Sequence, residues 1–75
     1  MKYLQSFWKY RIGLSEIELD GRTLPAIVLP KRREFLELTP ELEARILADT
    51  NVRGMLHHGH YKIVTATRYK HLTGK

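Results

Sequence analysis

The segment that most constrains the fold is L-S-E-I-E-L-D-G-R-T-L-P-A-I-V-L, residues 14–29. Ile17 and Leu19 alternate with acidic residues, which is the pattern of a half-buried strand. Asp20 and Gly21 follow at once, and an Asp-Gly pair favours a two-residue hairpin turn because both positions require positive φ. The sequence therefore predicts a β-hairpin centred on this turn.

Pairing outward from the turn fixes the register of the two strands. Three pairs are expected: Leu19 with Arg22, Glu18 with Thr23, and Ile17 with Leu24. Pro25 cannot donate a ladder hydrogen bond, so one side of the second strand is expected to lie at a sheet edge. An open edge can accept a strand from a partner protein, which makes Thr23 and Pro25 candidate protein-contact residues.

A short helix is the second clear signal. Thr39 suits the N-cap, and Pro40 suits the first helical position, where its missing N–H costs nothing. Apolar residues recur at helical spacing as far as Ile46. Asn51 can end the helix in a left-handed conformation, so the predicted helix spans about 40–50.

The two ends of the chain are rich in aromatic and β-branched residues. Y-L-Q-S-F-W-K-Y-R-I could be a strand or a helix, and its aromatic content favours a strand with Trp8, Tyr10 and Ile12 on one face. H-Y-K-I-V-T-A-T-R-Y, residues 60–69, predicts a final strand. Residues 70–75 are expected to form a loose tail.

The predicted fold class is α+β: a small antiparallel sheet of three to four strands, with a hairpin at Asp20-Gly21 and one short helix laid across it. Residues 1–75 are expected to form a single small domain without repeats or linkers. The sequence contains no cysteine, so neither a disulfide nor a thiolate metal site can reinforce so small a core. Oligomerisation or docking onto a partner is the remaining common way to stabilise a domain of this size.

No targeting or membrane segment is expected. The opening M-K-Y-L-Q-S-F-W-K-Y lacks the long apolar run of a signal peptide, and no stretch approaches about 18 consecutive apolar residues. We therefore expect a cytoplasmic protein that makes no membrane contact.

The net charge of +5 is unevenly distributed. Residues 1–13 contain three Lys or Arg residues and residues 50–75 contain five, and neither segment contains an acid. All eight carboxylates lie between Glu16 and Asp49. Two basic ends can form a nucleic-acid surface, or they can provide complementary charge for another copy or an acidic partner. The charge alone does not choose between these classes.

Three of the four histidines lie in M-L-H-H-G-H-Y-K, residues 55–62. Zinc sites need three or four converging ligands, and no H-E-x-x-H motif or cysteine pair completes this cluster. A pH-sensitive contact is an intermediate alternative, because histidine titrates near neutral pH. We favour a polar turn that bends at Gly59, and we predict no metal and no other cofactor.

Basic and aromatic residues are the candidates for nucleic-acid binding. The run Lys31-Arg32-Arg33 is expected to be a solvated connector, and the alternative is that it contacts phosphates together with Arg68 and Lys70 of the basic carboxy-terminal strand. Phe7, Trp8, Tyr10, Tyr61 and Tyr69 could stack on bases, although in so small a chain we expect them to be core residues instead. No serine or threonine has a paired histidine and carboxylate, so we expect no catalytic residues and no enzyme.

The segment E-F-L-E-L-T-P-E-L-E-A-R-I-L-A-D-T-N-V, residues 34–52, resembles a pattern of small accessory proteins of tailed phages and prophages. The family it most resembles is the Mu-like prophage FluMu amino-terminal domain. The matching positions are Phe35, Leu38, Leu42, Leu47, Ala48 and Asp49. The resemblance implies a phage-type structural or accessory protein that works by binding other proteins, in a host cell or a virion.

Two function classes therefore remain, together with a third, a small inhibitor of a host enzyme, which the residues do not distinguish from the first. The leading hypothesis is a non-enzymatic phage or prophage module that takes part in head or tail assembly through protein–protein contacts or self-association. Its contact residues would be Phe7, Trp8, Tyr10, Thr23 and Pro25. The alternative is a small basic nucleic-acid-binding protein.

Overall fold

The computed structural model describes residues 1–74. The elements follow in the order β1 (Lys2–Ser6), β2 (Ile12–Leu14), β3 (Ile17–Leu19), β4 (Arg22–Leu24), β5 (Ile27–Leu29), β6 (Phe35–Leu38), α1 (Pro40–Leu47), α2 (Thr50–His57), β7 (Tyr61–Thr65) and α3 (Ala66–Thr73). The α+β class is confirmed.

A three-stranded antiparallel sheet frames the molecule, with β1 between β6 and β7. Leu4, on β1, lies opposite Leu36 on one side and Ile63 on the other, and it is fully buried. The predicted first strand is present, but it ends at Ser6, and Trp8 and Tyr10 lie in the loop that follows it. The prediction that they share a strand face with Ile12 was therefore wrong.

Helices cover both faces of this sheet. On one face, α1 and α2 bury Ile46 and Val52 against Leu4 and Tyr61, and this is the core of the protein. Because strand side chains alternate, Tyr3 points to the opposite face, where Tyr69 of α3 stacks on its ring at 3.8 Å between centroids. The molecule thus has three layers.

The other four strands form a two-stranded ribbon. Its inner part pairs β2 with β5, and its outer part is the predicted hairpin of β3 and β4. The three predicted pairs around the turn are confirmed, and Asp20 and Gly21 have φ of 53° and 75°. The hairpin is a separate sheet from the three-stranded one, which corrects the prediction of a single sheet.

Arg45 of α1 holds the ribbon against the helical layer. Its Nε donates a hydrogen bond of 2.8 Å to the carbonyl oxygen of Ser15, at the break between β2 and β3. The guanidinium is also 3.7 Å from the carboxylate of Asp49. Arg45 is buried, so these partners are what make its charge tolerable there.

The predicted helix begins as expected but is shorter. The hydroxyl of Thr39 accepts a hydrogen bond from the N–H of Leu42, and Pro40 is the first helical residue. The helix ends at Leu47 because Asp49 starts a new one, α2, by accepting a hydrogen bond of 3.0 Å from the N–H of Val52. Asn51 therefore lies inside α2 and does not terminate α1.

The carboxy-terminal segment is helical where a strand and a tail were predicted. The strand ends at Thr65, whose hydroxyl caps α3 by accepting from the N–H of Arg68 at 3.2 Å. Residues 70–73 belong to this helix, which ends at Gly74 with φ of 73°. The predicted strand over 60–69 and loose tail over 70–75 are corrected accordingly, and Lys75 is outside the described residues.

No helix in residues 1–74 has both the length and the apolar character needed to cross a membrane.

Candidate nucleic-acid interface

Two loops meet at one end of the three-stranded sheet. The first connects β1 to β2, and the second connects β5 to β6. The N–H of Arg32, in the second loop, donates a hydrogen bond of 2.6 Å to the carbonyl oxygen of Trp8 in the first. This bond joins the aromatic opening segment to the basic run, which are separated by about two dozen residues in the sequence.

The two loops enclose a cavity of about 320 Å³ lined by four cationic side chains: Lys9, Lys31, Arg32 and Arg33. We call it the cationic cup. All four residues are exposed, so their charges face solvent and are available to an anion. All four residues that line this cavity carry an ammonium or guanidinium group, and such groups are the usual partners of phosphate oxygens.

Glu34, the acid next to the cup, is engaged by other partners. Its carboxylate accepts a hydrogen bond of 3.1 Å from the N–H of Lys31 and lies 2.5 Å from the guanidinium of Arg11. The hydrogen bond from the Lys31 backbone, followed by that from Arg11, lowers the pKa of Glu34. Its charge is thus offset by Arg11, and the carboxylate folds the turn that presents the cup.

Arg33 has a left-handed backbone, with φ of 74°. This conformation is uncommon for a residue other than glycine, asparagine or aspartate. A hydrogen bond of 3.0 Å from the N–H of Glu34 to the carbonyl oxygen of Lys31 closes the turn around it. Non-glycine residues in such conformations are concentrated at functional sites.

Two exposed aromatic rings flank the cup. Phe7 is 45% exposed and Tyr10 is 61% exposed. The ammonium of Lys9 lies 5.4 Å from the centroid of the Tyr10 ring, and that of Lys62 lies 5.6 Å from the centroid of the Phe7 ring. Basic groups and rings therefore alternate along this end of the molecule, as they do on single-strand-binding surfaces.

Trp8 borders a second cavity, an open groove of about 380 Å³ between the first loop and α2. Its apolar side chains include Trp8, Ile12 and Met55, and its polar ones include Asn51, His58 and His60. We call it the Trp8 groove. The imidazole of His60 meets the indole edge-on, with 5.0 Å between ring centroids.

The three clustered histidines do not converge. His57 and His58 end α2 with their ring centroids 5.5 Å apart, whereas His60 packs on Trp8. Gly59 has φ of 84°, which confirms the predicted backbone bend. Within residues 1–74, no group of three or more His, Asp or Glu side chains is placed to hold a metal ion.

The sequence candidates divide between several places. Lys31, Arg32 and Arg33 come together in the cup, whereas Arg68 and Lys70 are exposed on α3 and do not line it. Of the protein-contact candidates, Phe7, Trp8 and Tyr10 share the first loop, whereas Thr23 lies on β4 and Pro25 follows it.

Two functional candidates were missed by the sequence analysis. Lys9 completes the cup and Lys62 lies over Phe7. The available signal for Lys9 was its position between Trp8 and Tyr10, because a lysine between aromatic residues is typical of strand-binding surfaces. Lys62 gave no comparable signal.

Comparison of the chain with protein-family models, curated proteins and solved structures found no match. The resemblance of residues 34–52 to phage accessory proteins therefore remains a prediction. Whatever function is proposed must rest on the geometry of the cup, the rings and the groove.

Proposed function

We propose that this protein binds nucleic acid, with the cationic cup holding the phosphate backbone. The observation that carries the proposal is the convergence of Lys9 with Lys31, Arg32 and Arg33 from two separate loops. The protein would act by binding rather than by catalysis. The cytoplasmic location expected from the sequence is part of the proposal.

The charge arrangement suits a polyanion better than a single acidic side chain. Four cations in one cavity exceed what one carboxylate can neutralise, and the neighbouring Glu34 is already paired with Arg11. A phosphodiester chain presents a charge at every nucleotide, so it can occupy several of the four cations together. Phosphate contacts of this kind position the chain without reading its sequence.

The direct test is the binding of a fluorescein-labelled oligonucleotide, measured by fluorescence anisotropy at low salt. The double variant Arg32→Gln/Arg33→Gln should weaken binding about tenfold or more, because it removes half of the cationic cup. Arg22→Gln/Arg53→Gln is the matched control, since it removes the same charge from exposed positions outside the cup. Circular dichroism should show the same fold for both.

The control separates a specific site from net charge. If both double variants lose affinity equally, the cup is no more than part of a diffuse positive surface, and the proposal is wrong. Undetectable binding of the wild-type protein at low salt would also reject it.

We propose a second function for the ribbon, which is contact with another copy of the protein in a phage-type assembly. Leu19 is 47% exposed and Val28 is 61% exposed, and each ribbon strand is paired on one side among the described residues. Such edges can add a further strand. Sedimentation should show concentration-dependent assembly that Val28→Lys abolishes, and a wild-type monomer at every concentration would exclude self-association.

A further inference from the structure

We infer that the Trp8 groove accepts one unpaired base of a nucleic-acid strand held by the cationic cup. This inference rests on the proposed function, and it specifies that the nucleic acid bound by the protein is single-stranded. A base within a duplex is stacked and paired, so it cannot enter a groove at the protein surface without being extruded.

The connection between the two cavities supports this assignment. Trp8 lines the groove, and the next residue, Lys9, lines the cup. The carbonyl oxygen of Trp8 accepts the N–H of Arg32, so the wall of the groove is bonded to the rim of the cup. A nucleotide likewise has its base and its phosphate on the same sugar, and adjacent sites of these two kinds can hold it.

The chemistry of the groove suits a base. The indole of Trp8 offers an aromatic surface, and His60 holds it edge-on at 5.0 Å. Met55 adds an apolar wall, while Asn51 and His58 supply hydrogen-bonding groups. Single-stranded bases are recognised by this combination of stacking on aromatic rings and hydrogen bonds to the base edge.

The size of the groove depends on Gly54. At about 380 Å³, the groove lies in the lower part of the range for small-ligand sites. Gly54 lines the groove from α2, and a Cβ placed there would meet no atom within 4 Å beyond its chain neighbours and the backbone of its own helix. A larger side chain at position 54 would therefore occupy the groove without disturbing the packing of the fold.

This property provides the test, Gly54→Leu. The matched control is Gly13→Leu, because Gly13 lies outside the groove, on β2, and its Cβ would also meet nothing within 4 Å. Two labelled ligands are used: a short oligodeoxythymidylate, and an abasic strand with the same number of phosphates. In a second measurement, each strand is added without its label, and the fluorescence of Trp8, the only tryptophan in the sequence, is recorded.

The wild-type protein should bind the base-bearing strand about tenfold more tightly than the abasic strand, as expected for one stacked base. Only the base-bearing strand should quench Trp8. Gly54→Leu should reduce affinity for that strand to the abasic level and leave abasic binding unchanged. Gly13→Leu should match the wild-type protein with both ligands.

The two proposals fail in different ways. Equal affinity for both strands, or full binding of the base-bearing strand by Gly54→Leu, overturns the base site and leaves the cup intact. Loss of all binding, with or without bases, overturns the cup as well. A duplex that quenches Trp8 as strongly as the single strand would contradict the assignment of an unpaired base.

Discussion

The salt dependence of binding is the most quantitative consequence of the cationic cup. Four cations line it, and each is expected to displace counterions when it neutralises one phosphate. For a single strand, the logarithm of the binding constant falls with the logarithm of the salt concentration by about 0.7 for each phosphate contact. The wild-type slope should therefore be about −3.

The same reasoning gives the size of the effect and its change on mutation. Between about 50 and 200 mM salt, the wild-type affinity should fall by about 50-fold. Arg32→Gln/Arg33→Gln leaves two cations in the cup, so its slope should be about −1.4 and its loss about sevenfold. The control Arg22→Gln/Arg53→Gln should retain the wild-type slope.

Fluorescence anisotropy titrations at four or more salt concentrations measure both slopes. A wild-type slope shallower than about −1 would show that fewer than two phosphates are bound, so that the four cations do not act as separate phosphate contacts. An unchanged slope in the Arg32/Arg33 variant would place the phosphate contacts elsewhere on the protein. Either result refutes the assignment even if some binding is detected.

Three further predictions concern the fold. Asp49→Ala should lower the free energy of unfolding, measured in urea, by about 2 kcal/mol, because it removes the cap of α2 and a partner of buried Arg45. Asp49→Asn keeps a capping oxygen, so its loss should be about 1 kcal/mol smaller. Tyr61→Phe should leave the free energy of unfolding unchanged or raise it by about 1 kcal/mol, since the buried hydroxyl finds no hydrogen-bond partner among the described residues. A decrease of more than about 1 kcal/mol would show that the hydroxyl has a hydrogen-bond partner. Folding lowers the pKa of Glu34, so its charge stabilises the fold at pH values above 4.5, and this stabilisation is lost as the pH falls through the pKa of the folded state. The difference in melting temperature between the wild type and Glu34→Gln should therefore be largest near neutral pH and shrink in acid, whereas a difference independent of pH would show that the charge is irrelevant.

The elements that could be predicted from the sequence are those fixed by neighbouring residues. The hairpin register follows from the φ values that Asp20 and Gly21 adopt, and the start of α1 follows from the cap at Thr39 and the proline after it. In each case the residues that determine the structure lie within a few positions of it. No tertiary information was needed.

The two helices missed by the sequence analysis are stabilised by distant contacts. T-N-V-R-G-M-L-H of α2 contains β-branched residues, asparagine and glycine, all weak helix formers, and it depends on burial of Val52 in the core. In α3, Tyr69 is held by the rings of Tyr3 and Phe35. The local signals were the capping residues Asp49 and Thr65 at the helix starts and Gly74 at the end of α3.

The same division applies to the candidate site. The basic run from Lys31 to Arg33 is visible in the sequence, but its meeting with Lys9 depends on the hydrogen bond between Arg32 and Trp8 across two loops. The Trp8 groove needs α2, which the sequence analysis did not predict. The sequence analysis therefore found three of the four cup residues and did not predict the groove.

The choice of residue at position 33 links the fold to the proposed function. Asp20 and Arg33 are the two non-glycine residues with positive φ in the described part of the chain. At Asp20 the turn chemistry explains the residue, because aspartate tolerates the left-handed conformation and is favoured in Asp-Gly turns. At position 33 the backbone would favour glycine or asparagine, and an arginine there costs about 1–2 kcal/mol. Arg33 lines the cup, so the residue that is unfavourable for this backbone conformation is one that the proposed phosphate site would use.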